Sequence, residues 1–261
     1  MMYPFIDPVA FYVYDFPVRW YSLAYLFGFL WVLFIGKYLI HQGKVNWISK
    51  DDYESFLSSA MIASIIGGRI GYVLFYQFSL FLKEPVVIFK IWQGGMSFHG
   101  GVLGGFVYLL YKSNKLNVNF LSITDFILPW VPVGLGLGRL ANFVNGELWG
   151  RPTNGDWGVV FPWVDSQLRH PSQLYEFFLE GFVLSLIMYF CWLRFNSKGF
   201  VTGVFFFFYG FFRIFVEFFR SPDQQIGLLF NLNITLGQCL SIPMILLGVY
   251  LMYKASIKGF V

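Results

Sequence analysis

Residues 138–151 read GRLANFVNGELWGR and place Arg139, Asn142, Glu147 and Arg151 directly after a long apolar segment. Arginine carries a planar guanidinium that binds phosphate or carboxylate through two parallel hydrogen bonds. Charged groups are costly in lipid, so membrane-embedded chains keep them mainly where they pair, face a cavity or meet a charged ligand. This segment is therefore the first candidate for a binding or catalytic site.

A second candidate face lies in FFFFYGFFRIFVEFFR, where Tyr209, Arg213 and Glu217 recur at intervals of four residues. That spacing puts the three side chains on one side of a helix and brings Arg213 within pairing distance of Glu217. The face is either a structural ion pair near the membrane surface or one polar wall of a cavity. Polar residues in other segments favour the cavity wall.

His99 lies in GGMSFHGGVLGG, in which six of twelve residues are glycine. Such glycine density permits close backbone approach, and a histidine there could be reached by a substrate. With an ordinary pKa near 6.5, a histidine can act as a general base. A lone histidine can equally be structural, and the residues alone leave both interpretations open.

The elements that position these groups are predicted to be membrane-spanning helices. The chain is 57% hydrophobic, 23% aromatic and only 12% charged, whereas soluble proteins carry about 25% charged residues. A bilayer crossing needs roughly 20 apolar residues, and seven segments come close: 19–40, 57–78, 97–112, 120–138, 174–194, 202–219 and 235–255. We predict an all-α polytopic membrane protein, a single domain over residues 1–261, with a structured loop region at 139–173.

Lysine is distributed unevenly along the seven predicted spans. Lysines concentrate in the loops after spans 1, 3 and 5 and near the C-terminus. The positive-inside rule then favours an N-terminus outside the cytoplasm and a cytoplasmic C-terminus. On this topology the unusual polar residues lie toward the outer leaflet, including Tyr21 at the start of span 1 and Arg69 in span 2. Such a cationic site suits a phosphorylated amphiphile, and no histidine or cysteine spacing indicates a metal.

Five segments together resemble the bacterial phosphatidylglycerol–prolipoprotein diacylglyceryl transferase family: GGRIGYVLFY (67–76), GGMSFHGG (94–101), GRLANFVNGELWGR (138–151), RHPSQLYE (169–176) and YGFFRIFVEFFR (209–220). The resemblance implies a multi-pass enzyme of the bacterial inner membrane with its active site toward the periplasm. It implies transfer of the diacylglyceryl group of phosphatidylglycerol to the lipobox cysteine of a prolipoprotein signal peptide. A thioether forms and glycerol 1-phosphate is released, as the first step of lipoprotein maturation, without a metal or organic cofactor.

Residue roles are assigned by this resemblance together with the reasoning above. The candidate catalytic residues are His99, Arg139, Glu147, Tyr209, Arg213 and Glu217. The candidate substrate-binding residues are Tyr21, Arg69, Arg139, Asn142 and Gly150. We expect the two arginines Arg139 and Arg213 to neutralise the lipid phosphate, with Glu217 and Glu147 orienting them. His99 is the first candidate to deprotonate the substrate thiol, and Tyr209 or an arginine-bound carboxylate is the alternative.

Two other functions are compatible with a cationic site inside a helical bundle. The first is a different phosphatidylglycerol-consuming transferase, which would move glycerol phosphate instead of diacylglycerol. The second is an anion or lipid transporter. Transport sites usually lie near the midplane of a repeated architecture, whereas this chain shows no internal repeat and its polar groups concentrate toward one face.

Overall fold

The computed structural model describes residues 1–90, 92, 94–222, 228–229 and 234–258. Its helices are α1 (Trp20–His41), α2 (Lys50–Tyr76), α3 (Phe78–Lys83), α4 (Phe98–Lys115), α5 (Phe120–Ile127), α6 (Val131–Val144), α7 (Ser172–Glu176), α8 (Leu184–Arg194), α9 (Phe200–Glu217) and α10 (Leu236–Lys258). Three antiparallel strand pairs complete the elements: β1 (Val9–Val13) with β2 (Phe16–Arg19), β3 (Val159–Val160) with β4 (Leu168–Arg169), and β5 (Leu228–Leu229) with β6 (Ile234–Thr235).

Several short helices join into longer rods. A 3₁₀ turn at Leu128–Trp130 links α5 to α6, so that residues 120–144 form one continuous apolar helical segment. A π-helical stretch, Phe177–Val183, likewise links α7 to α8. We call this stretch the π segment. Such wide helical turns occur mostly as local insertions in α-helices and are frequent at functional sites.

In the described part of the chain, six helical segments are long and apolar enough to cross a membrane. They are Trp20–His41, Lys50–Tyr76, Phe120–Val144, Ser172–Arg194, Phe200–Glu217 and Leu236–Ile257. The chain is an all-α polytopic membrane protein. The predicted third span corresponds to α4, which is not among the six because glycine, lysine and other polar residues lower its hydropathy. The count of seven, the orientation and the single-domain organisation stay predictions.

The chain divides into two compact units, Met1–Val32 with Thr124–Val261, and Leu33–Ile123. In the second unit, α2 and α4 pack through glycine. A β-carbon added at Gly67 would lie 2.4 Å from the carbonyl oxygen of Gly100, and one at Gly104 would lie 2.3 Å from that of Ala63. The two helices therefore pack closely, with the small-residue character common in membrane helix pairs.

Glycines also bring helices together at several places in the first unit. α9 and α10 meet at Gly203 and Gly248, where an added β-carbon at Gly203 would lie 2.8 Å from the Gly248 carbonyl oxygen. α6 meets the π segment at Gly136 and Gly181, where an added β-carbon at Gly136 would lie 2.9 Å from the Gly181 α-carbon. These contacts allow backbones to approach closely enough for short-range pairing of the neighbouring polar side chains.

The start of α9 is fixed by a side chain from another helix. Gly199 precedes α9 with φ of +89°, and it offers no capping side chain of its own. Asp125 on α5 accepts hydrogen bonds from the Gly199 amide at 2.5 Å, the Thr202 amide at 2.7 Å and the Thr202 hydroxyl at 2.6 Å. A carboxylate at a helix N-terminus satisfies otherwise unpaired amides. Asp125 therefore sets where α9 begins.

Candidate active site

An ion-pair network joins α6, α7, the π segment and α9 within the first unit. Its arginines are Arg139, Arg213 and Arg220, and its glutamates are Glu176, Glu180 and Glu217. We call these six residues the arginine–glutamate network. Arginine remains protonated in proteins, so three ionised glutamates balance three arginines. Such balance is what permits charge at this level of burial.

Glu176 is the centre of the arginine–glutamate network. Its Oε1 atom lies 2.5 Å from Arg213 Nη1 and 3.1 Å from Arg220 Nη1, while its Oε2 atom lies 3.2 Å from Arg139 Nε. The side chain is fully buried. One carboxylate therefore holds arginines from two helices in a fixed geometry.

The arginines cover the carboxylates. Arg139 and Arg213 have side chains 21% and 15% exposed, whereas the side chains of Glu176 and Glu180 are 0% exposed. Arg213 also pairs with Glu217 at 2.6 Å, which confirms the pairing predicted from their spacing. The accessible surface of the network is thus cationic, with its counter-charges enclosed beneath.

Residues 142–150 comprise the end of α6 and the turn that follows it, and two asparagines there hold Glu147. Asn142 Nδ2 donates to Glu147 Oε1 at 2.8 Å and Asn145 Nδ2 donates to the same atom at 3.2 Å. Glu147 was expected to orient an arginine, but in the described structure its side-chain hydrogen bonds come from these two amides. Asn142 is itself buried, and its predicted part in substrate binding stays a prediction.

Gly150 lies where no larger residue fits. An added β-carbon would lie 2.4 Å from the His170 carbonyl oxygen and 2.6 Å from that of Phe219. Its amide donates to the His170 carbonyl at 2.9 Å, and the Arg151 amide donates to the Phe219 carbonyl at 2.8 Å. Gly150 therefore joins the turn to the residues that precede α7 and follow α9, directly beside the network.

In the loop region outside the spans, the pKa values of two side chains are lower than their ordinary values. Arg169 donates to Asp165 through Nη2 at 2.5 Å, and this hydrogen bond lowers the pKa of the Asp165 carboxyl. Partial burial lowers the pKa of His170, whose Nδ1 lies 3.1 Å from the Tyr175 hydroxyl. The lowered pKa values favour the neutral form of His170 and the ionised form of Asp165.

Three tyrosines approach the network. Tyr209 lies one turn before Arg213 on α9, near enough for Glu180 and Arg139 to act on it electrostatically. On α1, the hydroxyls of Tyr21 and Tyr25 lie 3.0 Å apart. Arg139 and Glu147 act electrostatically on Tyr25. Of the predicted residues, Tyr209 therefore lies near the arginines of the network. Tyr21 contacts Tyr25, which in turn lies near Arg139.

An apolar groove runs between α1 and α6 in the same unit. It has a volume of about 480 Å³ and is lined by Trp20, Leu23, Ala24, Leu26, Phe27, Leu30, Leu137, Leu140, Ala141 and Val144. Every lining side chain is hydrophobic, and the α6 residues flank Arg139 in sequence. A groove of this kind accommodates a hydrocarbon chain beside a cationic site.

In the second unit, Arg69 is buried and makes five hydrogen bonds to backbone carbonyls. Its partners are the carbonyl oxygens of Val87, Ile88, Lys90, Gly94 and Gly95, at 2.5–3.2 Å. Arg69 therefore holds the chain that leads into α4, and its predicted part in substrate binding stays a prediction. His99, on the first turn of α4, is exposed.

The family follows from comparison with known proteins. Residues 8–254 match a family model described as prolipoprotein diacylglyceryl transferase. The chain belongs to this family. A protein from Pseudoalteromonas atlantica is 50% identical over 256 residues, covering 97% of this chain and 90% of its own length. Proteins from Nitrosomonas europaea and Aeromonas hydrophila are 46% and 45% identical over 98% and 96% of this chain, and cover 92% and 90% of their own.

All three relatives carry the name phosphatidylglycerol–prolipoprotein diacylglyceryl transferase. The family resemblance predicted from the five motifs is confirmed. In this member of the prolipoprotein diacylglyceryl transferase family, three of the motifs come together in the first unit. They are 138–151, 169–176 and 209–220, which supply the turn and all but one residue of the arginine–glutamate network.

Sequence reasoning missed the residue that lies between these motifs, Glu180. It also gave Glu176 no role and did not consider Tyr25. A signal was present, because Glu176 and Glu180 stand four residues apart inside the apolar run LYEFFLEGF. Ionisable residues inside a membrane span are functional candidates by default, and this spacing places both on one helical face.

Proposed function

We propose that this chain transfers the diacylglyceryl group of phosphatidylglycerol to the thiol of the lipobox cysteine in a prolipoprotein signal peptide. The product is a thioether, and glycerol 1-phosphate is released in the first step of lipoprotein maturation. The single observation that carries this proposal is the pair of partly exposed arginines, Arg139 and Arg213, held by shared buried glutamates.

The reaction displaces a phosphate ester from carbon, so negative charge grows on the departing phosphate. Guanidinium groups already fixed in position stabilise such charge without reorganising during the reaction. Glu176 and Glu217 hold Arg213, and Glu176 and Glu180 hold Arg139. In this proposal the exposed edges of both arginines bind the lipid phosphate. The apolar groove between α1 and α6 receives an acyl chain of the same lipid.

A thiol must lose its proton before it can attack carbon efficiently. Among the candidate residues, His99 has the side chain whose ordinary pKa lies closest to neutrality, and we propose it as the base. Tyr209 is the alternative. A His99→Gln variant that retained near-normal turnover and lipid affinity would transfer the role of base to another residue.

The remaining candidate residues support the two substrates. We propose that Tyr21 acts with Tyr25 on the lipid head group and that Asn142 and Glu147 maintain the turn beside it. Gly150 allows that turn to pack on the residues flanking α7 and α9. Arg69 supports the chain before His99, so any contribution to substrate binding is made through that segment.

We further propose a location in the bacterial inner membrane, with the N-terminus and the arginine–glutamate network toward the periplasm. Family membership and the distribution of lysine support this location. A cysteine introduced at the exposed position Asp7 should react with a membrane-impermeant maleimide in intact spheroplasts. One introduced at exposed Lys44 should react only after permeabilisation. The opposite pattern would contradict this orientation.

The activity is tested with purified protein, a lipobox peptide and phosphatidylglycerol labelled in its acyl chains. Label should move to the peptide, and a second preparation labelled in the head-group glycerol should release that label as glycerol phosphate. Head-group label on the acceptor would instead identify a glycerol-phosphate transferase. Lipid translocation in proteoliposomes without peptide would support the transporter alternative.

A further inference from the structure

Glu180 helps to hold Arg139 but has no part in proton transfer in the proposed chemistry, although it is enclosed beside both candidate phosphate ligands. Its Oε2 atom lies 3.4 Å from Arg139 Nη2, and its Oε1 atom lies 3.8 Å from Arg213 Nη1. The closest arginine contact of Glu176 is 2.5 Å, and that of Glu217 is 2.6 Å. Of the three network carboxylates, Glu180 is therefore held least tightly by the arginines.

The surroundings of Glu180 determine which groups can share its proton. Arg139 faces it from α6, Arg213 and Tyr209 from α9, and Glu176 from its own helix. The remaining packed element, α8, has its charged residue at the far end, at Arg194. A protonated Glu180 would thus have two arginines, one glutamate and one tyrosine as its ionisable neighbours. The helices packed against it, α6, α7, α8 and α9, contain no histidine or lysine.

Binding of an anionic phosphodiester changes the charge balance of the network. Three arginines and three ionised glutamates sum to zero, so one further negative charge leaves an excess in a poorly solvated site. Uncompensated charge at such depth is costly, and a buried carboxyl reduces that cost by taking a proton. The phosphate also competes for Arg139 and Arg213, which are the two cations in contact with Glu180.

We propose that Glu180 is protonated while the lipid is bound and acts as the general acid for the departing phosphate. This inference rests on the proposed diacylglyceryl transfer and adds a catalytic residue to it. The same two arginines would contact both the phosphate and Glu180, which places the acid beside the atoms whose charge increases.

The thiolate sulfur forms a bond to the glyceryl carbon, and the bond from that carbon to the phosphate oxygen breaks with its electron pair going to oxygen. The phosphate thereby changes from a singly charged diester to a monoester that would carry two negative charges. The Glu180 proton moves to this monoester, whose second pKa is about 6. The thiol proton goes separately to the base, and ionised Glu180 pairs with Arg139 again.

The test compares two lipids with different leaving groups. Phosphatidylglycerol releases a phosphate that benefits from protonation, whereas a diacylglycerol sulfate ester releases sulfate, a much weaker base. Glu180→Gln keeps the size of the side chain but cannot donate an acidic proton. We expect its single-turnover rate with phosphatidylglycerol to fall about 100-fold, within the usual range for losing a general acid. Its rate with the sulfate ester should fall by a much smaller factor, because a departing sulfate needs no proton.

Glu176→Gln is the matched comparison on the same helical face. Because Glu176 holds three arginines, its loss should slow both reactions alike. A Glu180→Gln variant that reacted more slowly with both lipids, by the same factor, would have a structural defect and would overturn the proposal. An unchanged rate with phosphatidylglycerol would also overturn it.

A pH series gives a second, independent readout should the sulfate ester be a poor substrate. The rate with phosphatidylglycerol should fall at high pH as Glu180 loses its proton, and Glu180→Asp should retain that decline while Glu180→Gln loses it. A decline that persists in Glu180→Gln would contradict the proposal. An unaltered protein that transfers no acyl label to peptide would contradict the proposed function itself, which separates the two failures.

Discussion

Gly136 and Gly181 bring α6 into backbone contact with the π segment, and an added β-carbon on Gly181 would lie 2.6 Å from the Gly136 α-carbon. Arg139 follows Gly136 by one turn, and Glu180 directly precedes Gly181. Their ion pair, with Nη2 and Oε2 3.4 Å apart, therefore depends on how closely these two backbones approach. The small residues position the charges.

Replacing Gly181 by alanine should separate the two elements. Added volume in a tightly packed contact costs about 1–3 kcal/mol, so we expect a lower melting temperature in detergent and slower lipid transfer. Gly138→Ala on α6 is the matched control, because nothing lies within 4 Å of its added β-carbon. That variant should be neutral or up to about 1 kcal/mol more stable through helix propensity. Equal effects of the two substitutions would contradict this explanation.

Replacing Glu176 by glutamine should destabilise the fold as well as the site. Arg139, Arg213 and Arg220 would lose a shared, fully buried counter-charge. Removing one partner of a buried ion pair costs about 3 kcal/mol. Thermal unfolding in detergent measures this loss. Glu54→Gln, at an exposed glutamate, should change the unfolding temperature little, and a comparable loss there would show that the effect is not specific to the network.

Arg139→Lys tests whether a positive charge at this position is sufficient for lipid binding. Arg139 contacts Glu176 through Nε and Glu180 through Nη2 while leaving part of its guanidinium exposed. A lysine has a single nitrogen and cannot maintain both contacts while also binding phosphate bidentately. We expect a loss of lipid affinity of at least about tenfold, or 1.4 kcal/mol, measured by binding of phosphatidylglycerol in nanodiscs. Full affinity in the lysine variant would show that the geometry of the guanidinium is unimportant.

Asp165 should make the loop region sensitive to acid. Its hydrogen bond from Arg169 lowers the pKa of Asp165 in the folded state, so its stabilising effect is present above the unfolded pKa, near 3.9. The effect is lost as pH falls through the lower folded value. Trp163, which donates to the Gly146 carbonyl at 3.1 Å, provides a fluorescence probe of this loop. In Asp165→Asn the acid-induced fluorescence change should shrink, and an unchanged profile would assign it to another group.

Arg69→Lys should loosen the chain before α4 without removing its charge. Five carbonyls converge on the guanidinium of Arg69, and three ammonium hydrogens cannot satisfy all of them. We expect faster limited proteolysis between residues 84 and 97. Lys83→Arg, at the end of α3, serves as a control that alters a nearby cation. Equal protection in the Arg69→Lys variant would assign the ordering of this segment to other contacts.

Much of the helical framework was predictable from hydropathy, because lipid imposes long apolar segments. The predicted segment 19–40 corresponds to α1, and 202–219 to α9 with a shift of two residues. The largest error in a helix start is at α2, which begins at Lys50 instead of residue 57. Its first turn is polar, but Ser49 caps it by accepting from the Asp52 amide at 3.1 Å. Hydropathy cannot detect this start, whereas the serine followed by acidic residues is a capping signal.

The candidate site was only partly predictable, because residue spacing reveals contacts within one helix but not contacts between distant segments. Arg213 and Glu217 could be paired from their spacing because both lie on one helix. The partners of Arg139 lie 37 and 41 residues later in the chain, and no local rule gives a contact over that distance. Glu147 was expected to orient an arginine, but its bonds to Asn142 and Asn145 depend on the particular shape of the turn.

The three hydrogen bonds accepted by Asp125 lie at the opposite end of α9 from Arg213. About 14 residues separate Gly199 from that arginine, a distance of about 21 Å along a helix. Sliding the helix start by a single residue would translate every following side chain by about 1.5 Å and rotate it by about 100°. Arg213 would then point away from Glu176. The direction in which Arg213 points is therefore set by Asp125, a carboxylate on another helix that makes its hydrogen bonds at the far end of α9.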